Sequence, residues 1–232
     1  MNAGDLVRLD VGCEWNHYGG DLGRTVPVSG RYSADQREIW DIFVSAYHAG
    51  AKSLREGATV DQVFAAWSAE LIRHRESARS ALAKQAVDGW SKREQVPNWQ
   101  IHTMNLSIAG VQGPMRAGTT LAFEPIASIG GQGYYLEDLF LITKEGAELL
   151  TPGVPYSAEE IELRDAGPKI KRHHVTGFRN PCPLPDVHVN AHRFEASHNW
   201  TGRVVQTIRN TVTDQKWLGY SVAAPLLPPS SL

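Results

Sequence analysis

Acidic side chains recur inside segments of this chain whose apolar content belongs to β-strands. Asp10 stands between Leu9 and Val11, and Asp21 follows two glycines and precedes Leu22. Glu124 closes the run Leu121, Ala122 and Phe123, while Glu137 and Asp138 interrupt Tyr135, Leu136, Leu139 and Phe140. His102 lies next to Ile101 in a further strand-like run. A buried carboxylate with no partner is costly, so strands of this kind must expose their acids, pair them, or bring them to cations. Taken singly, each residue has an ordinary reading: Asp10 as an edge residue, Asp21 as a turn residue, His102 as a satisfied core histidine, Glu124 as a strand end before Pro125. Taken together, carboxylates and an imidazole converging in one core would repel unless hard divalent ions neutralised them. Spacing alone leaves both readings open.

The surrounding pattern predicts an α+β chain. Residues 6–11 and 21–28 read as two strands of a hairpin, with a turn signal at Tyr18, Gly19 and Gly20. Ser33 and Gln36 fit a capping box, and Ile39, Ile42, Phe43 and Ala46 follow at the spacing of one buried helix face. Gly57 breaks the chain. Thr59 and Gln62 repeat the cap, and Val60, Val63, Phe64, Trp67 and Leu71 form a second apolar stripe. Residues 73–98 are polar and read as helix and then loop. Strands are expected at 100–108, 119–124 and 134–142, with a turn at Lys144, Glu145 and Gly146 and a short strand at 147–150.

Composition changes along the chain. Nine of the 13 prolines lie in the last 82 of the 232 residues. From residue 166 onward there are eight Lys/Arg against three Asp/Glu, whereas the first 165 residues carry 15 against 22. The boundary is therefore set at residues 152–167, giving a domain over 1–151 and a Pro/His-rich, poorly ordered extension over 152–232. A net charge of -2 gives no electrostatic case for a nucleic-acid or membrane-surface partner. No apolar run approaches the roughly 20 residues of a bilayer span. Two cysteines, Cys13 and Cys182, are too few for a disulfide framework and point to a reducing, cytoplasmic setting. In the extension, His188 and His192 with Cys182 nearby fall short of a zinc site, and Asn199 opens a sequon that carries no weight without an export signal.

Three ordered motifs resemble the pita-bread metallopeptidases, the family of methionine aminopeptidase, Xaa-Pro aminopeptidase and prolidase. They are Asp10-Val11-Gly12 with Asp21-Leu22-Gly23-Arg24-Thr25, the stretch from Arg116 to Pro125, and the stretch from Tyr135 to Gly146. The two aspartates are eleven residues apart, as in the family pattern. The resemblance covers about residues 4–151. It implies an incomplete pita-bread fold, with a mixed, mostly antiparallel curved sheet covered by helices and an irregular C-terminal tail. It implies metal ligation by Asp10, Asp21, His102, Glu124 and Glu137, with Asp21 and Glu137 bridging two divalent ions (Mn, Co or Zn). Glu124 would shuttle protons, and His102 would join it in the catalytic set. A register that puts Asn105 at the histidine position is the alternative, and imidazole is the better ligand.

The implied activity is hydrolysis of the N-terminal peptide bond of a peptide substrate, with Xaa-Pro peptides favoured. Three departures favour a catalytically impaired domain, acting as a binding module or a fragment. The strand with Asp10 begins almost at Met1, where the family places further helices and strands. Ala109 stands where a second histidine belongs, and Tyr135 where an arginine belongs. A homodimer or a partner chain covering the missing part is the corresponding expectation, since unpaired strands leave an edge open to association.

Overall fold

The computed structural model describes residues 2–15, 18–104, 108–165, 203–209 and 218–221. The chain opens with a hairpin of two ten-residue strands, β1 (Leu6–Trp15) and β2 (Tyr18–Pro27). Gly19 and Gly20 do not make the turn. They stand in β2 opposite Glu14 and Cys13. The glycine pair reads as punctuation because glycine favours turns, but the ladder of hydrogen bonds here runs through it.

Three helices follow: α1 (Ala34–Lys52), α2 (Val60–His74) and α3 (Ala81–Trp90). Both predicted capping boxes form, at Ser33 with Gln36 and at Thr59 with Gln62, and Ser80 caps α3 through Ala83 N. Each box satisfies two backbone N–H groups that the helix itself leaves free. The buried face of α1 carries Ile39, Ile42, Phe43 and Ala46 as expected, together with Trp40, Tyr47 and Gly50. Val63, Trp67 and Leu71 are fully buried on α2. Phe43 packs edge-on against Trp67 with ring centres 5.0 Å apart, and Tyr47 stacks on Phe123 at 4.9 Å. Burial of each such side chain contributes about 1.5–3 kcal/mol, so these rings fix the helices onto the sheet.

The remaining strands are β3 (Gln100–Met104), β4 (Ile108–Gly110), β5 (Thr120–Glu124), β6 (Ile126–Ile129), β7 (Gln132–Ile142) and β8 (Ala147–Leu149). A helix α4 (Ala158–Asp165) and strands β9 (Arg203–Arg209) and β10 (Leu218–Ser221) complete the described chain. The sheet runs β10-β9-β1-β2-β7-β5-β3-β4, with β6 and β8 also pairing with β7. All described pairings are antiparallel. On its side away from β2, β1 is paired by β9. Asn105 and the tail residues Cys182, His188, His192 and Asn199 lie outside the described residues. Among those described, no helix is long and apolar enough to cross a membrane.

Candidate metal centre

Registers between strands decide which side chains share a face, because side chains alternate along each strand and residues paired across a ladder point the same way. Asp10 pairs with Gly23, and Asp21 pairs with Gly12, so both aspartates lie on one face of the β1–β2 hairpin. Gly23 also pairs with Glu137 on β7, which brings Glu137 to that face. Phe123 pairs with Asp138, so the neighbouring Glu124 and Glu137 stand opposite each other across β5 and β7. Gln100 pairs with Glu124 and His102 with Ala122, which adds His102 and Gln100. Four registers thus deliver Asp10, Asp21, His102, Glu124 and Glu137 to the same side of the sheet. Asp138 and Arg24 fall on the opposite side, towards the helices.

The geometry is close. Ligand atoms of Asp21, His102 and Glu137 all lie within 4.8 Å of one another. His102 Nε2 is 3.3 Å from Glu124 Oε2 and 3.4 Å from Glu137 Oε1. Glu137 is 1% exposed, and its Oε1 makes no hydrogen bond. Its nearest partner is the His102 imidazole at 3.4 Å, a contact outside hydrogen-bond geometry that does not repay the cost of burial, and a cation among these ligand atoms would do so. The donor set, carboxylates and one imidazole, fits a divalent ion with oxygen and nitrogen preference.

Electrostatics report the same crowding. Burial, with the charges of Asp10 and Glu124, pushes the Asp21 carboxyl up to about 6, against the opposing effect of His102. Burial pushes Glu137 up to about 8, with Asp21 and Glu124 adding to it, while the neighbouring His102 imidazole and the Tyr135 hydroxyl work downward. Burial acts to lower His102, but Glu124 and Glu137 overcome it and push the imidazole up to about 10. Each shift has the physical cause expected of acids held together with too few cations.

Two partners in the site escape the sequence reading. Gln100 Nε2 donates to Glu124 Oε2 at 2.6 Å. Gln100 lies two residues before His102, so strand alternation was a signal that it shares the face. The Tyr135 hydroxyl donates to Glu137 Oε2. Ala109, in the position of the second histidine, is exposed on β4 opposite Thr103 and offers no side-chain donor.

Behind the face, Asp138 is fully buried and heavily bonded. It accepts from Arg24 Nη2 at 2.9 Å, Tyr47 OH at 2.7 Å, Tyr156 OH at 2.9 Å and Thr151 Oγ1 at 2.8 Å. Arg24 Nη1 in turn donates to the carbonyls of Gly23 and Glu137. This network ties β2 to β7 at the point where Glu137 is carried.

Comparison with known proteins agrees with the motifs. A family model described as metallopeptidase family M24 matches residues 1–144. The chain is 32% identical to the Xaa-Pro aminopeptidase of Escherichia coli strain K12 over 185 residues, covering 70% of this chain and 41% of that protein. A solved structure of an Escherichia coli aminopeptidase P variant superposes with a TM-score of 0.58 at 28% identity, covering 70% of this chain and 41% of the other. Proline aminopeptidase P II from Yersinia pestis gives 0.59 at 26% identity, over 72% and 43%. The chain spans about two-fifths of the length of these relatives. The likeness bears out the expected part of a pita-bread fold.

Proposed function

Since the chain belongs to metallopeptidase family M24, we propose that it is a metal-dependent exopeptidase that removes the N-terminal residue of peptides, with Xaa-Pro peptides favoured. The observation that carries this reading is the arrival of four carboxylates and one imidazole on one sheet face, with Glu137 Oε1 buried among them and 3.4 Å from His102 Nε2. Asp10, Asp21, His102, Glu124 and Glu137 would hold two divalent ions. Such ions lower the pKa of water and polarise a carbonyl oxygen.

The residues of the chain supply the rest. Glu124, fixed through one oxygen by Gln100, keeps its other oxygen for proton transfer. It takes a proton from the attacking water and returns it to the departing amide nitrogen, so the proton count balances across the cleavage. Asp10 and Asp21 form the acidic side of the site and attract the free ammonium of a peptide N-terminus. This accounts for exopeptidase rather than internal cleavage. Likeness to the Xaa-Pro aminopeptidase of Escherichia coli supports the preference for proline in the second position.

A second reading is favoured by Ala109: a domain that keeps metal and binds peptide ends without cleaving them. The two readings part in one experiment. Purified protein is analysed for metal and then assayed for release of the first residue from Xaa-Pro peptides. About two equivalents of metal, lost on Asp21→Ala, with proline-peptide cleavage, supports the exopeptidase. Metal without cleavage supports the binding domain. No metal uptake at millimolar supply overturns both.

A further inference from the structure

We infer that Tyr135 is a positioning residue for the metal ligand Glu137, and that Gly23 is the residue that makes room for it. This rests on the proposed metal centre. Tyr135 is 2% exposed and lies two residues before Glu137 on β7, on the same face. Its hydroxyl donates to Glu137 Oε2. One carboxylate oxygen is thereby occupied, and the other, Oε1, is left pointing among His102 and Asp21 without a hydrogen bond.

Tyr135 is held on both backbone edges and beneath its ring. Thr25 Oγ1 accepts from Tyr135 N at 2.8 Å and donates to Tyr135 O at 3.2 Å, which clamps the backbone. On the other edge, Tyr135 pairs with Ile126 of β6. The ring itself lies over Gly23. A Cβ at Gly23 would sit 2.2 Å from Tyr135 Cε1, 2.3 Å from Cζ and 2.6 Å from the hydroxyl oxygen. Any side chain at position 23 must therefore displace the phenol from Glu137. Gly23 and Tyr135 form a matched pair, and neither is useful to the site without the other.

The pair gives physical meaning to a departure noted in the sequence. An arginine at position 135 would bring a fixed positive charge into a cluster of acids. Tyrosine brings a single neutral donor. It orients Glu137 without neutralising it, so the negative charge of the cluster stays available to bound cations. Partners that orient a metal ligand typically account for about 10–100-fold in metal affinity.

The test titrates Co2+ into five forms of this chain against a competing chelator and records the visible absorption of the bound ion. They are the wild type, Tyr135→Phe, Gly23→Ala, the double variant and the control Leu71→Ala. Tyr135→Phe keeps the ring and loses only the hydroxyl. It is expected to weaken Co2+ binding about 10–100-fold and to shift the absorption band. Gly23→Ala is expected to do the same in the wild-type background and to add little in the Tyr135→Phe background, because both act on one contact. Leu71→Ala, remote in α2, serves as the control for lost stability: it should melt earlier with unchanged Co2+ affinity and band. The inference is overturned if Tyr135→Phe binds Co2+ as the wild type does, if the two substitutions add in full, or if Leu71→Ala weakens binding equally. Wild-type protein that takes up no Co2+ overturns the metal centre itself, a result separate from these.

Discussion

Arg24 Nη2 and Asp138 Oδ1 meet at 2.9 Å on the buried side of the sheet, directly behind the strand that carries Glu137. The two groups are 6% and 0% exposed, so neither has recourse to water. Breaking such a pair from one side leaves an uncompensated charge, which costs about 3–5 kcal/mol. Asp138→Ala is therefore expected to destabilise the protein by that amount, and it also strands the hydroxyls of Tyr47, Tyr156 and Thr151. Urea denaturation of the two proteins measures the difference. A loss below about 1 kcal/mol would mean the pair behaves as a surface contact.

Stability of the metal-free protein should fall as pH rises. Folding raises Asp21 from its ordinary 3.8 to about 6 and Glu137 from 4.5 to about 8. The folded chain then binds protons more tightly than the unfolded one. Their contribution is full below about pH 4 and is lost as pH climbs through about 6 for Asp21 and about 8 for Glu137. His102 has the same sign: its contribution is full below 6.5 and lost towards about 10. Melting temperatures in chelator from pH 5 to pH 9 should decline steadily, and a curve that rises over this range would contradict the crowding.

Added divalent cation should reverse the decline. Metal and protons compete for the same carboxylates and imidazole, so uptake releases protons and strengthens with pH. The rise in melting temperature on adding Mn2+ is expected to be larger at pH 8 than at pH 5.5. Equal shifts at both would place the ion elsewhere.

Asp21→Asn separates the two roles of this residue. Removing a carboxyl pushed up by burial and by Asp10 relieves repulsion in the metal-free site. The variant should melt higher than the wild type in chelator at pH 8 and gain little from added Mn2+. Differential scanning calorimetry with and without metal gives both readings.

Gly50 on α1 is a further point of close fit. A Cβ there would lie 2.8 Å from Phe123 Cζ and 3.0 Å from Cε1. Alanine in a helix ordinarily gains about 1 kcal/mol over glycine. Here it must push a fully buried ring that stacks on Tyr47 and adjoins Glu124. Gly50→Ala is expected to lose about 1–3 kcal/mol, measured by denaturant unfolding, and a gain in stability would show that the ring can yield.

Helix starts were legible in the sequence because their signals are local. Ser33 with Gln36 and Thr59 with Gln62 each act within three residues, and the structure bonds them as the spacing implies. Strand limits were less legible. Pro125 does end β5 as its sequence implies, but nothing local marks β6, which begins at the next residue and pairs back onto β7. Gly19 and Gly20 read as a turn, yet lie within a ladder, where pairing between strands overrode local preference. The carboxylates and His102 were legible as a set, but Gln100 and the Tyr135 hydroxyl were not, because a hydrogen bond between strands leaves no mark on either segment alone.

By itself, the sequence determined which residues alternate within each strand and which helices bury which face. It also held the three motifs that place the chain in its family. Alternation has a period of two and says nothing of which face meets which across a sheet, since a slip of one residue reverses every side chain. Only the tertiary registers, Asp10 with Gly23, Gly23 with Glu137 and Phe123 with Asp138, decided that the acids gather on one side while Arg24 and Asp138 bind on the other.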